Sequence, residues 1–331
     1  MLLRHVSRSS SLMAAPTDKR NERLAPEAIN VAARALNRNR SAGPPTGRDV
    51  QMTWYQEFFA VQEAMFTFHQ GRIPLLVSIP HLGTEIPAAI AAQMTDAALS
   101  VADTDWHLDR LYSFAKSAGA SVLGARFSRY VIDLNRPPGG ESLYPGQTTT
   151  GLCPAETFRG EPLYLEGNEP EQDEVQRRLE RYWRPYHQKL RAELDRMKQQ
   201  FGQVLLWEAH SIASVLPRLF QGRLPDLNIG TNAGASCDAS ILEAISSELV
   251  KGQPFTWVAN GRFKGGYITR AFGQPSSGIH AVQLEMCQST YMDEDAPFSY
   301  RQDLAERVQP VIERMMSAAT AATSKLRAAT S

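Results

Sequence analysis

"LLVSIPHLGTEIP", residues 75–87, decides how the fold is read. Leu75 to Ile79 form a short, nearly continuous apolar run, the pattern of a strand buried on both faces in a parallel sheet. The run stops at Pro80 and is followed by His81 and Gly83. A strand predicted over 74–79 therefore leaves its sheet through a tight exit that carries an imidazole. In open α/β sheets ligands bind in the crevice beyond the carboxyl ends of the strands, so this position concerns chemistry as well as fold.

Outward from this stretch, short apolar runs alternate with longer amphipathic ones, the signature of strands interleaved with helices. The pattern predicts further strands at 121–125, 129–134, 203–208, 255–259 and 280–286. The clearest helix is "EQDEVQRRLERYWRPYHQKLRAELDRMKQQFG", residues 171–202, in which Val175, Leu179, Trp183, Tyr186, Leu190, Leu194 and Met197 keep one face apolar. Pro185 is expected to kink it and Gly202 to end it. A second long helix is expected over 300–326. Two stretches, 135–170 and 211–236, read as long loops, which tend to be lids or binding walls. No internal repeat or linker divides this part of the chain, so one α/β domain over 66–327 is predicted.

Residues 1–60 read as an N-terminal extension. "MLLRHVSRSSSLMAAP" holds Arg4, Arg8 and four serines, with no acid until Asp18. Such a start fits a disordered extension with some helix within 25–39 or 53–65, an upstream start codon, or an organelle transit peptide over residues 1–20.

The bulk numbers narrow the function. Thirty-five basic residues balance thirty-five acidic ones, leaving no global field to attract nucleic acid or an anionic membrane. No apolar run approaches the roughly 18–20 residues of a membrane span. Cys153, Cys237 and Cys287 are odd in number and widely spaced, which argues against a disulfide framework and for a reducing compartment, the cytoplasm. The oligomeric state is not legible.

Chemistry-bearing residues cluster at the ends of apolar runs. "LLVSIPH" delivers His81, "ADTDWHLDRLY" delivers Asp103, Asp105 and His107, and "YVIDLNRP" delivers Asp133, Asn135 and Arg136. "VLLWEAHS" delivers Glu208, His210 and Ser211, and "HAVQLEMCQ" delivers Glu285. Imidazoles and a carboxylate from separate strand ends are the usual ligands of a hydrolytic zinc, with one position left for water. His81 and His210 are the expected imidazoles of one divalent ion, and Asp105 or Glu85 the expected acid. Glu285 is expected to carry the proton as general base, Arg136 to grip a substrate carboxylate bidentately, and Asn135 to donate beside it. Glu208 reads as an acceptor orienting His210 or as part of a buried ion pair. His187 reads as a packing or surface residue of its helix. The loop "GRFKGGYITR", residues 261–270, combines glycines with Arg262, Lys264 and Arg270, a composition suited to holding an anion. Taken alone, these cations and Arg126 and Arg129 also read as ordinary solvated charges. The sequence contains no H-E-x-x-H, G-x-S-x-G, G-x-x-x-x-G-K-[ST] or G-x-G-x-x-G motif, which removes the commonest competing chemistries.

In order, "SIPHLGTEIP", "DTDWHLDRLY", "SRYVIDLNRP", "TTTGLCPAETFRGEPLY", "WEAHS", "LNIGTNAGASCD", "GRFKGGYITR" and "QLEMCQSTYMDE" resemble the N-formylglutamate deformylase (amidohydrolase) family over residues 66–325. The resemblance implies hydrolysis of N-formyl-L-glutamate to formate and L-glutamate in histidine degradation. It also implies a mixed central sheet flanked by helices, similar to zinc-dependent carboxypeptidases. Carried over, the roles fall on His81, an acid and His210 for the metal, Asn135 with Arg136 for the α-carboxylate, and Glu285 as base. Carboxypeptidases place the acid three residues after the first histidine, where this chain has Thr84. Glu85 is one residue late, whereas Asp-Thr-Asp-Trp belongs to the resemblance, so Asp105 is preferred. A small dianionic substrate then needs two carboxylate clamps: Arg136 for one, and Arg262, Lys264 or Arg270 for the other.

Overall fold

The computed structural model describes residues 65–143 and 149–329. The extension read over 1–60, with its candidate helices, lies outside the described residues. Within them, seven strands form one mixed sheet: β1 Phe66–His69, β2 Leu75–Ile79, β3 Ser121–Ala125, β4 Val204–Ile212, β5 Leu227–Gly230, β6 Trp257–Ala259 and β7 Ile279–Cys287. Their order is β1-β3-β2-β4-β7-β5-β6. The central four run parallel, β1 is antiparallel to β3, and β5 is antiparallel to β7 but parallel to β6.

The central strands are buried along their whole length, as continuous apolar runs require once helices cover both faces. On one face Leu75, Val77, Leu205, Trp207, Val282 and Leu284 pack under two helices. These are α7 (Ala239–Leu249), through Ile241 and Ile245, and the long C-terminal α9 (Gln302–Ala329), through Val308, Ile312 and Met315. On the other face Leu76, Leu123, Leu206 and Ala281 pack against Tyr186, Leu190, Leu194 and Met197. Those four belong to the predicted 171–202 helix, which is present as α5 (Gln172–Arg178), a π-helical turn (Leu179–Trp183) and α6 (Arg184–Phe201). Pro185 sits in the first turn of α6, and the disturbance it was expected to cause takes the form of the wider turn just before it. Gly202 ends α6 at φ +77°. Short helices α1 (Ala88–Ala91), α2 (Asp96–Leu99), α3 (Leu108–Leu111) and α4 (Ser113–Ala118) lie between β2 and β3, and α8 (Tyr267–Phe272) precedes β7.

One strand reading and one loop reading need correction. Residues 129–134 are not a strand: Val131 donates to Ser128, Asp133 to Leu152 and Arg136 to Asp133, so the run is a buried turn-rich segment. An apolar run that short cannot by itself separate a strand from a buried loop. The stretch 211–236, read as loop, instead contains the last residues of β4 and all of β5. Among the described residues no helix is long and apolar enough to cross a membrane.

Candidate active site

From β2 the chain moves to β3 on one side and later returns as β4 on the other, both parallel to β2. Strand order reverses there, which opens a crevice at the carboxyl ends of β2 and β4. His81 lies two residues past the end of β2 and His210 near the end of β4, at that reversal. Side chains alternate across a strand, so Leu205, Trp207 and Ala209 face the helix α9 side while Leu206, Glu208 and His210 face the other. His210 pairs with Glu285 of β7 and Glu208 with Gln283, which brings four polar side chains of two central strands onto one face. The two imidazole rings are 4.8 Å apart.

Asp105 arrives from the turn before α3. Its amide donates to the His81 carbonyl at 3.0 Å, and the flanking carbonyls of Thr104 and Trp106 accept from Gln288 and Tyr291. His107, which starts α3, is left-handed at φ +60°, a conformation that a non-glycine residue adopts at a cost. The Asp105 carboxylate lies 3.0 Å from His210 Nδ1 and 3.7 Å from His81 Nδ1. One donor atom from each of His81, Asp105 and His210 falls within 4.8 Å of the others.

The opposite nitrogens of both rings are held by protein. His81 Nε2 donates to Asp133 Oδ1 at 2.7 Å, and Asp133 also accepts from Arg129 at 2.7 Å and from the Asn135 amide at 2.8 Å. His210 Nε2 lies 3.1 Å from Glu208 Oε1 and 2.9 Å from Asn135 Nδ2. A carboxylate oxygen accepts, so with Glu208 as its partner Nε2 carries the proton and the Asn135 amide cannot also donate to it; the second Glu208 oxygen accepts from Thr269 at 2.7 Å. Both Nδ1 atoms therefore turn toward Asp105. Among the described residues His81 Nδ1 and Asp105 Oδ1 are buried without a hydrogen-bond partner, an unusual cost unless something else satisfies them. Two imidazoles, a carboxylate and orphaned lone-pair atoms form a group that could hold a metal ion. Glu85 is elsewhere: it is exposed and pairs with Arg126.

Burial and electrostatics set the protonation of the group. Burial opposes charge on His210, but hydrogen bonds to Asp105 and Glu208 outweigh it and hold its pKa well above the ordinary value. Burial and Arg129 lower that of His81, against the pull of Asp133. Burial also opposes charge on Asp133, yet His81, Arg129 and Arg136 keep its pKa well below the usual range. Burial pushes the Glu285 carboxyl up to about 8, with His210 working against it and Asp105 with it.

A cavity of about 80 Å³ opens on these groups. His81, His210, Glu285, Asn135, Arg136 and Arg262 line it, with Phe158, Ile212, Leu219 and Phe263 as apolar walls. The Asn135–Arg136 segment is fixed by α6 and the turn before it, where His187 donates to the Leu134 carbonyl and Trp183 to that of Arg136. Arg136 Nε and one terminal nitrogen bond Thr150 at 2.8 and 3.1 Å. Arg262 bonds the Leu219 carbonyl. Lys264 and Arg270 do not line the cavity, and Arg270 Nε donates to the Gly265 carbonyl. The reading of Arg129 as a solvated charge fails, because the residue is buried and lines the cavity beside Asp133.

A sequence profile described as N-formylglutamate amidohydrolase matches residues 73–292. The chain belongs to that family. It is 52% identical over 256 residues to an N-formylglutamate deformylase of Pseudomonas putida, covering 77% of this chain and 96% of the relative. It is 51% identical over 254 residues to one of Pseudomonas aeruginosa, covering 77% and 95%. The fold is similar to the crystal structure of an N-formylglutamate amidohydrolase from Ralstonia eutropha, with a TM-score of 0.65 and 25% identity over 80% of this chain and 99% of that one.

Three residues of the site went unassigned in the sequence: Asp133 as acceptor for His81, Arg129 beside it, and Gln283 beside Glu285. Gln283 had a signal, since it and Glu285 alternate on one face of a strand that is otherwise apolar.

Proposed function

We propose that this chain hydrolyses N-formyl-L-glutamate to formate and L-glutamate with a divalent metal ion, zinc in the first instance, held by Nδ1 of His81, a carboxylate oxygen of Asp105 and Nδ1 of His210. The observation that carries the reading is the His/Asp/His group itself, whose two imidazoles line one small cavity together with Glu285, Arg136 and Arg262. It agrees with the activity named for the Pseudomonas relatives.

The substrate is a dianion with a small amide, and the cavity matches it part by part. Arg136, steadied by Thr150, would take one carboxylate in a planar two-point contact, and Arg262 the other. Asn135 would donate beside Arg136. Phe158, Ile212, Leu219 and Phe263 would cover the methylene chain and exclude bulk water. A metal ion bound at the His/Asp/His group would supply Lewis-acid polarisation of the formyl carbonyl and acidification of water. Glu285 would accept the proton of the attacking water as the carbon–oxygen bond forms. It would return that proton to the amide nitrogen as the carbon–nitrogen bond breaks, a role suited to a carboxyl whose pKa burial has raised to about 8. Asp133 and Glu208 would hold the two imidazoles in the tautomer that leaves Nδ1 free.

A fold related to zinc-dependent carboxypeptidases fits the same geometry. Its support is a His, acid and His set at the carboxyl ends of parallel strands, here with the acid supplied by the turn before α3. Three unpaired cysteines support a reducing compartment, the cytoplasm, as the place of reaction.

Release of the free amino acid from N-formyl-L-glutamate, N-formyl-L-aspartate and N-acetyl-L-glutamate, measured side by side with formate from the two formyl substrates, tests the assignment. The first should exceed the other two clearly in kcat/KM. Equal rates on all three would overturn the specificity, and no formate from the first would overturn the function.

A further inference from the structure

Gln283 and Glu285 stand one pleat apart on the same face of β7, both buried and both lining the cavity. The terminal amide of Gln283 has one acceptor end and one donor end, and the structure fixes which points where. Its Oε1 accepts from the Gly266 amide at 2.6 Å, and its Nε2 lies 3.4 Å from Glu285 Oε2. A flipped amide would set donor against the Gly266 N–H and acceptor against the carboxylate, losing both contacts at once. Gly266 is itself held: a β-carbon there would lie 2.2 Å from Asn135 Nδ2, and Asn135 Oδ1 accepts from the neighbouring Ile268 amide at 2.9 Å. One chain of contacts thus runs from Asn135 through the Gly266–Ile268 backbone to Gln283 and on to Glu285.

We propose that Gln283 is a positioning residue that aims the Glu285 carboxylate at the reacting water by donating a neutral hydrogen bond to its Oε2. This rests on the reading of Glu285 as general base. A neutral donor suits the task, because a lysine or arginine in its place would orient the carboxylate and also depress its basicity. The 3.4 Å separation is long for such a bond, as catalytic hydrogen bonds often are before substrate tightens them.

Substitutions that add no charge test the role. Gln283→Met removes the donor to Glu285 at nearly the same length, and Gln283→Leu removes it with a shorter chain. If the donor aims the base, Gln283→Met lowers kcat by about 10- to 100-fold, the penalty of a misplaced catalytic group, and leaves KM within about twofold. A wild-type kcat in Gln283→Met, or a change confined to KM, would show that Gln283 merely caps Gly266 and would overturn the proposal. Should that variant not fold, as judged by its melting temperature, Gln283→Leu decides on the same criteria. Glu285→Gln measured alongside separates the two claims. A loss of about 10²–10⁴-fold there with wild-type kcat in Gln283→Met removes only the positioning role, while an active Glu285→Gln removes the base itself.

Discussion

Replacing Glu208 by glutamine tests the metal reading where it is most specific. The carboxylate is fully buried, and among the described residues its hydrogen bonds run to His210 Nε2 at 3.1 Å and Thr269 Oγ1 at 2.7 Å. Glutamine has the same shape and can keep both contacts, with its oxygen toward His210 and its NH₂ toward the Thr269 hydroxyl, which turns to accept. What disappears is the charge. A hydrogen bond to a charged group contributes roughly 1.5–3 kcal/mol and a neutral one roughly 0.5–1.5, so about 1–1.5 kcal/mol of the force orienting the imidazole is lost. Metal affinity should fall about tenfold, at the lower end of the 10- to 100-fold usual for such outer partners. The pH dependence sharpens the prediction. In the metal-free protein Asp105 and Glu208 raise the pKa of His210, so a metal must displace a proton and binds more weakly below that pKa. Without Glu208 the pKa falls, the proton competes less, and the deficit of Glu208→Gln should be largest in alkaline solution and shrink toward acid. Competition against a chromogenic chelator, run at about pH 6 and about pH 9, reads both effects. Metal dissociation constants equal within twofold at alkaline pH would refute the assignment of Glu208 as the partner of a metal-binding imidazole.

Chelation of the purified protein should abolish formate release and lower the melting temperature, with one equivalent of zinc restoring both; a chelated protein with unchanged melting temperature and activity would exclude a resident ion. Arg136→Lys cannot reproduce the planar contact that Thr150 steadies, so KM should rise by about 10- to 100-fold while kcat changes less; unchanged KM would dismiss the clamp. His187 is buried as the neutral ring, with a pKa lowered by burial to about 3 from 6.5. A depressed folded-state pKa means that its share of stability is intact above about pH 6.5 and is lost as pH falls from there toward 3, because only the unfolded chain takes up the proton. Between pH 7 and 5 this amounts to about 2 kcal/mol, which His187→Phe should remove from the difference between urea denaturation curves at the two pH values. The same loss of stability in both proteins would show that another group carries it.

The central strands and the long helices were legible because they are long and periodic, and burial on both faces leaves a plain apolar signature. β1 was not legible, since a four-residue edge strand with one face partly open shows little pattern. The 129–134 run failed for the opposite reason. Val131, Ile132 and Leu134 are as buried as strand residues, but their backbone is bound by local turns and by Leu152, and composition does not record where a carbonyl goes. In the site, His81, Asp105, His210, Asn135, Arg136 and Glu285 are brought together, while of the three loop cations only Arg262 reaches the wall. Lys264 and Arg270 share its loop and composition; which of the three faces inward depends on the backbone around Gly265 and Gly266, which spacing alone does not fix.

Asp133 and Gln283 point to a more general lesson about buried polarity. Taking a polar side chain out of water costs a few kcal/mol unless it finds a partner, so one such residue on a central strand can be a local accident of packing. Two at positions i and i+2 cannot be explained that way, because they face the same side and must be satisfied together. β4 carries Glu208 and His210 in that relation, and β7 carries Gln283 and Glu285. The strands are neighbours in register, so the two pairs form one polar patch set into an apolar sheet. Each residue proposed above to act at the reacting atoms then has a neighbour one pleat away: Glu208 beside His210 at 3.1 Å, and Gln283 beside Glu285 at 3.4 Å. Asp133 serves His81 from a loop, where no strand period could announce it, and only the fold reveals the pairing.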